Sequence, residues 1–193
     1  MARLVREFGA FTLQPDSARQ PFEALVRAVA HQQLNGTAAN TILRRFMALF
    51  PRRRFPRPED LAGVTDDAIH KAGFSRAKVA SIRDIAAKTI EGIVPSSRKI
   101  ALLADEEIVE RLTEVRGVGR WTVEMLLIFK LGRPDVLPAD DFGVRNGFRL
   151  AYRLMEMPKA KQVLAHGERW RPYRTAASWY LWRVTDKAQA KTK

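Results

Sequence analysis

The stretch that decides the fold is Leu112–Phe148, LTEVRGVGRWTVEMLLIFKLGRPDVLPADDFGVRNGF. Leu112 and Val115 precede a Gly117-Val118-Gly119 turn, and Val123, Leu126, Leu127 and Lys130 continue after it at helical spacing. This pattern predicts two helices joined by a tight hairpin. The start of the second helix leaves backbone N–H groups without intrahelical partners, and the helix dipole there favours negative charge. Glycines in the turn let an anion approach the backbone where a Cβ would stand in the way. A turn of this kind can receive a phosphate.

A second signal follows, Pro138-Ala139-Asp140-Asp141 ahead of a periodic run through Val144, Phe148 and Tyr152. Asp is a favoured N-cap, so either carboxylate suits the start of that helix. A third lies near the C-terminus, RWRPYRTAASWYLWR, residues 169–183, in which Trp170, Tyr173, Trp179, Tyr180 and Trp182 alternate with arginines. Helical spacing there places Trp179 and Arg183 on one face and Tyr180 beside Tyr173, and Trp170 and Trp179 read as core.

The chain has 193 residues, 46% of them hydrophobic, enough for one or two compact domains. Thirty-four Lys and Arg against 21 Asp and Glu leave a net charge of +13. That excess points to a polyanionic partner, nucleic acid or an acidic membrane surface. The absence of Cys excludes disulfides, thiolate zinc sites and an iron–sulfur cluster. No apolar run approaches the roughly 18 residues of a membrane span. Met1–Gln20 lacks the apolar core of a signal peptide, so a cytoplasmic protein is expected.

GVGRWT, DDFGVRNGF and RWRPYRTAASWYLWR, in this order and spacing, resemble the helix-hairpin-helix DNA glycosylase superfamily. Within it they look like the 3-methyladenine DNA glycosylase II (AlkA-like) branch, in a short all-helical form. The resemblance covers roughly residues 20–185. It implies an all-α, two-lobed fold with the lesion pocket between lobes. Residues 21–135 would form a middle bundle, and residues 1–20 with 136–193 a second lobe built from the termini. Some members, resembling endonuclease III, carry an iron–sulfur cluster for which this chain has no ligands.

The implied activity is hydrolysis of the N-glycosidic bond of alkylated purines, of the 3-methyladenine and 7-methylguanine type, in base excision repair. Asp141 lies at the family's gapless spacing from Trp121 and would be the catalytic carboxylate, which leaves Asp140 as the capping residue. Trp121, Trp182 and Met125 would line the lesion pocket, where indole faces suit a cationic purine. Met125 replaces a tyrosine of the longer enzymes. Bifunctional members have a nucleophilic lysine at the place of Trp121, so a monofunctional enzyme is implied.

His31-Gln32-Gln33-Leu34-Asn35 falls between two expected helices. In family members this loop enters the minor groove, which makes Gln33, Leu34 and Asn35 candidates for DNA contact, with Leu34 as the wedge. Ser75 and Lys78 would touch the opposite strand, and Gly117 and Gly119 a backbone phosphate. The carbonyls of Thr113, Val115 and Val118 would hold a monovalent Na+ or K+, and no other cofactor is expected. The implied partner is double-stranded DNA containing alkylated bases, with no membrane, expected to be bound by a monomer in a bacterial-type, nucleoid-associated setting. Two other readings stay open: a glycosylase for different damaged bases, and a non-catalytic helix-hairpin-helix DNA-binding module.

Residues 51–60, PRRRFPRPED, hold three Pro and four Arg and read as a loop, its arginines facing phosphates or solvent. One short amphipathic helix is expected from Glu59 to Lys71.

Overall fold

A computed structural model describes residues 1–34 and 36–190. Among these residues every regular element is helical. In chain order they are α1 (Ala2–Phe8), α2 (Pro21–His31), α3 (Gly36–Ala48), α4 (Asp66–Lys71), α5 (Arg76–Ile90), α6 (Ser97–Ile100), α7 (Asp105–Thr113), α8 (Arg120–Phe129), α9 (Phe142–Ala151), α10 (Ala160–Gly167) and α11 (Arg174–Ala190). Short 3-10 turns occupy Glu59–Gly63 and Glu168–Trp170. The chain divides into two compact units, one of residues 16–126 and the other of residues 1–15 with 127–193. The divisions thus fall after Pro15 and Leu126, where the sequence suggested 20 and 135.

In the 16–126 unit, α2 starts with Pro21, whose missing N–H costs nothing in a first turn. Its Phe22, Leu25, Val26, Val29 and Ala30 are all buried, the face read from the periodicity. They join Leu43 and Phe46 of α3 and Ile82 and Ile85 of α5, each at most 4% exposed. Phe46 has Phe50, Phe55 and Phe74 around it, with ring centroids 5.4–6.1 Å away. Burying each such side chain contributes about 1.5–3 kcal/mol, so this core outweighs any single cap or ion pair. Ser75 caps α5 and Thr65 caps α4 by accepting backbone N–H bonds. The Thr65 cap also corrects an expectation: the stretch from Glu59 to Lys71 is a 3-10 turn and a separate α4, because Thr65 starts a new helix.

In the other unit α9 packs along α11 over a core of Leu4, Leu137, Val144, Phe148, Val163, Trp170, Tyr180 and Leu181. Trp170 is buried, and Trp179 packs edge-on against Phe11 while Arg183 lies over its ring. Tyr180 does not meet Tyr173. Its hydroxyl donates to the Gly9 carbonyl, and Tyr173 is 68% exposed, because α11 begins at Arg174 and the helical phase cannot be run back through residue 173.

Candidate active site and nucleic-acid interface

Asp141 is the N-cap of α9. Its Oδ1 accepts the Val144 amide at 2.8 Å and the Trp182 indole Nε1–H at 2.7 Å. The capping role expected of Asp140 therefore belongs to Asp141, and Asp140 is exposed. Capping and chemistry are compatible in one carboxylate. The two donors settle the direction of the group without neutralising it, and charge-assisted bonds of this kind are short.

The site is built by α11 acting along its length. Arg174 donates Nε to Asp135 Oδ1 and Nη2 to Asp135 Oδ2, a two-point grip at 2.7 and 3.0 Å. Thr175 donates to the Arg133 carbonyl and accepts the Val136 amide, and Ser178 donates to the Val136 carbonyl. Trp182 then reaches Asp141, and Thr185 donates to the Gly143 carbonyl. Arg174, Ser178 and Trp182 recur every four residues and share a face. One helix face thus holds the irregular segment from residue 133 to 143 that delivers the carboxylate. Burial pushes the Asp135 carboxyl up, but the Arg174 hydrogen bonds and charge, with Arg171, bring it below its ordinary 3.8.

Around Trp182 the sequence reading missed two residues. Phe129 stacks on the indole at 5.6 Å with planes 23° apart. Gly143 lies so close beneath it that a Cβ would stand 2.7 Å from Trp182 Cδ1 and 3.0 Å from Asp141 Oδ1. Phe129 had a signal, since it follows Trp121 and Met125 at four-residue steps. Trp121 and Met125 are half-exposed on α8, whereas Thr122, Val123 and Glu124 are buried. Gly143 had none.

The hairpin between α7 and α8 turns at Gly117, which adopts φ +75°. A Cβ there would lie 2.2 Å from Ser81 Oγ on α5. Gly117 is thus demanded by the fold itself. Gly119 is not: a Cβ on it meets nothing, and its φ is ordinary. What Gly119 leaves open is the outer approach to the turn. Asp84 of α5 accepts the Arg116 amide at 2.7 Å, so the rest of the hairpin is braced from below. The Val115 carbonyl accepts the Val118 amide at 3.0 Å.

The loop after α2 is tied to the same hairpin. Gln32 Nε2 donates to the Gly117 carbonyl at 3.0 Å and to Thr122 Oγ1 at 3.2 Å. Lys78 Nζ donates to the carbonyls of Ala30 and Gln32, at 3.1 and 2.8 Å. Burial pushes the Lys78 ammonium down from its ordinary value. Lys78, expected to touch DNA, gives two of its three ammonium donors to this loop, and Gln32, unmarked in the sequence reading, is the loop's link to the hairpin. Beyond them Gln33 is left-handed at φ 57°, and Leu34 is 40% exposed. Ser75 caps α5 on the surface. Asn35 lies outside the described residues.

Comparisons with known proteins give the family of the chain. Residues 26–172 match the family described as HhH-GPD superfamily base excision DNA repair protein. The chain belongs to that superfamily. DNA-3-methyladenine glycosylase 1 of Schizosaccharomyces pombe is 46% identical over 88% of this chain and 75% of its own length. The solved structure of the Schizosaccharomyces pombe 3-methyladenine DNA glycosylase in complex with abasic DNA superposes with a TM-score of 0.88 at 45% identity, covering 94% of this chain and 89% of that one. DNA-3-methyladenine glycosidase of Bacillus halodurans gives 0.86 at 31% identity, over 98% and 86%.

Proposed function

We propose that the chain is a monofunctional DNA glycosylase that hydrolyses the N-glycosidic bond of alkylated purines in duplex DNA, acting as a monomer in the cytoplasm. Among the described residues no helix is long and apolar enough to cross a membrane. The observation that carries the reading is the carboxylate of Asp141, held by the Val144 amide and the Trp182 indole. The names of the relatives supply the substrate class.

Alkylation at N3 or N7 makes the purine a good leaving group, so the barrier lies in charge developing on the deoxyribose. Asp141 stabilises that oxocarbenium character and orients or deprotonates the attacking water. The C1′–N bond breaks, water supplies the new C1′–O bond, and the free base departs. Trp121, Met125 and Trp182 receive the extruded base, whose positive ring the indole faces attract. Leu34, with Gln33 and Asn35, fills the space the base leaves. Gly117 and Gly119 hold a backbone phosphate, with Ser75 on the opposite strand. Trp121 offers no amine for a Schiff base, so the product is an intact strand with an abasic site.

The hairpin carbonyls of Thr113, Val115 and Val118 would hold Na+ or K+. Neutral oxygens suit such an ion, and the Val115 oxygen keeps a second lone pair beyond its bond from Val118.

Duplexes bearing 3-methyladenine, 7-methylguanine or deaminated bases, incubated with wild type and Asp141→Asn, test the reading by release of free base and heat-labile abasic sites. Asparagine still accepts both hydrogen bonds, so the fold persists while the charge is lost. A fall of about 10²–10³ in rate is expected. Equal release by both proteins would overturn the mechanism. Inactivity on every lesion, with binding retained, would mark a binding module.

A further inference from the structure

Gln32 stands where the loop after α2 meets the hairpin. It ends α2, its backbone N–H donating to the Ala28 and Val29 carbonyls. Its side chain is half-buried, whereas those of Gln33 and Leu34 are exposed. Nε2 gives one hydrogen to the Gly117 carbonyl at 3.0 Å and the other to Thr122 Oγ1 at 3.2 Å, acceptors 85 and 90 residues further along the chain. A primary amide has two N–H donors, so both are used here. Gly117 is the left-handed turn of the hairpin, and Thr122 is buried in the first turn of α8. These residues and α5 all belong to the 16–126 unit.

The backbone of the loop is held as well. The Gln32 carbonyl accepts Lys78 Nζ at 2.8 Å, and the same ammonium reaches the Ala30 carbonyl at 3.1 Å. The next residue, Gln33, is left-handed at φ 57°. That conformation is unfavourable for a residue with a Cβ and persists only where neighbouring contacts impose it. Here the bonds made by the side chain and carbonyl of Gln32 fix the residue before it. The strained residue leads directly into Leu34, whose side chain is exposed. The hairpin offers firm support. Gly117 packs against α5 so tightly that a Cβ would lie 2.2 Å from Ser81 Oγ, and Asp84 accepts the Arg116 amide at 2.7 Å.

We propose that Gln32 is a positioning residue for base extrusion: it fixes the loop that carries Leu34 to the hairpin, so that the grip on the backbone and the wedge act as one rigid piece. The proposal rests on the reading of the hairpin as the phosphate grip and of Leu34 as the wedge. Unstacking a base costs free energy, so a side chain pressed into the duplex is pressed back. On a free loop Leu34 would give way. With Gln32 in place the load passes into a hairpin that is itself anchored to the strand, and the duplex gives way instead.

The test compares wild type, Gln32→Met, Leu34→Ala and the double variant in the full chain. Methionine keeps the length of the side chain and removes both donors. Affinities are measured on an undamaged duplex and on one with a central stable abasic analogue beside a 2-aminopurine, whose fluorescence rises when it unstacks. Gln32→Met should bind the abasic duplex about tenfold more weakly and the undamaged one within about twofold of wild type. At saturating protein its fluorescence rise should stay well below that of wild type. A merely weaker fold would not cause that, since every duplex is then bound. In the Leu34→Ala background the same substitution should add less than about twofold. Thr122→Val removes one acceptor at constant shape and should weaken abasic binding by about threefold, which keeps the test open if Gln32→Met does not fold. Equal losses on both duplexes, a full rise at saturation, or losses that add in the double variant each overturn the proposal. If Leu34→Ala changes neither affinity nor fluorescence, the wedge reading falls and the proposal with it. If Leu34→Ala lowers both and Gln32→Met neither, the wedge stands and the proposal alone falls. A duplex bearing 7-methylguanine is run in parallel. If wild type releases no base but abasic binding still depends on Gln32, the catalytic reading falls and this role stands.

Discussion

Asp141 performs two tasks with one oxygen: it starts α9 by accepting the Val144 amide, and it accepts the Trp182 indole. Trp182→Phe removes that donor but keeps an aromatic face for Phe129. A hydrogen bond to a charged group contributes about 1.5–3 kcal/mol, so the variant should lose about tenfold or more in single-turnover rate with little change in thermal midpoint. Gly143→Ala acts on the same pair sterically, since its Cβ would meet both Trp182 and Asp141. It should cost about 1–3 kcal/mol in chemical denaturation and lower excision as well. At this scale the sequence singled out the carboxylate and the tryptophan that the structure joins by a hydrogen bond. It was mute on Gly143 because the need for a missing Cβ comes from a helix forty residues away, and it assigned the cap to Asp140 because propensity does not distinguish adjacent aspartates.

At the scale of elements, α5 and the loop after α2 support the hairpin. Lys78 and Gln32 close that loop from two sides, and Gln33 holds a left-handed conformation beside them. Lys78→Met removes the ammonium that satisfies two carbonyls. Amide hydrogen exchange at residues 31–34 should quicken, and stability should fall by about 1–2 kcal/mol. Unaltered exchange there would show that the lysine does not brace the loop. Helical periodicity revealed α2, α5 and α8, whose apolar faces repeat without interruption. It ran Glu59–Lys71 together, since a 3-10 turn and a short helix share the same apolar spacing until Thr65 is seen to cap. The sequence suggested that Lys78 would touch DNA, whereas its Nζ lies within bonding distance of the Ala30 and Gln32 carbonyls, a proximity between segments that a linear pattern does not encode.

Across the whole molecule, charge sets how the protein responds to its medium. With a net charge of +13, binding to any duplex should weaken steeply as salt rises. Asp135 couples charge to stability in acid. Its folded pKa lies below the ordinary 3.8, so it contributes stability above that value and the contribution is lost as pH falls through the lower folded value. The stability gap between wild type and Asp135→Asn, read by denaturant melts, should be constant near neutral pH and close only below about pH 4. A gap closing at higher pH would show that Arg174 does not hold the carboxylate charged. By itself the sequence determined the helical class, the hairpin and the polyanionic partner, because periodicity, glycine spacing and net charge are properties of the chain order. Only the tertiary structure decided which oxygen takes which donor, that α11 grips residues 133–143, and that Gln32 meets the hairpin. Those depend on the direction and distance of side chains from remote segments, and such vectors exist only once the helices are packed.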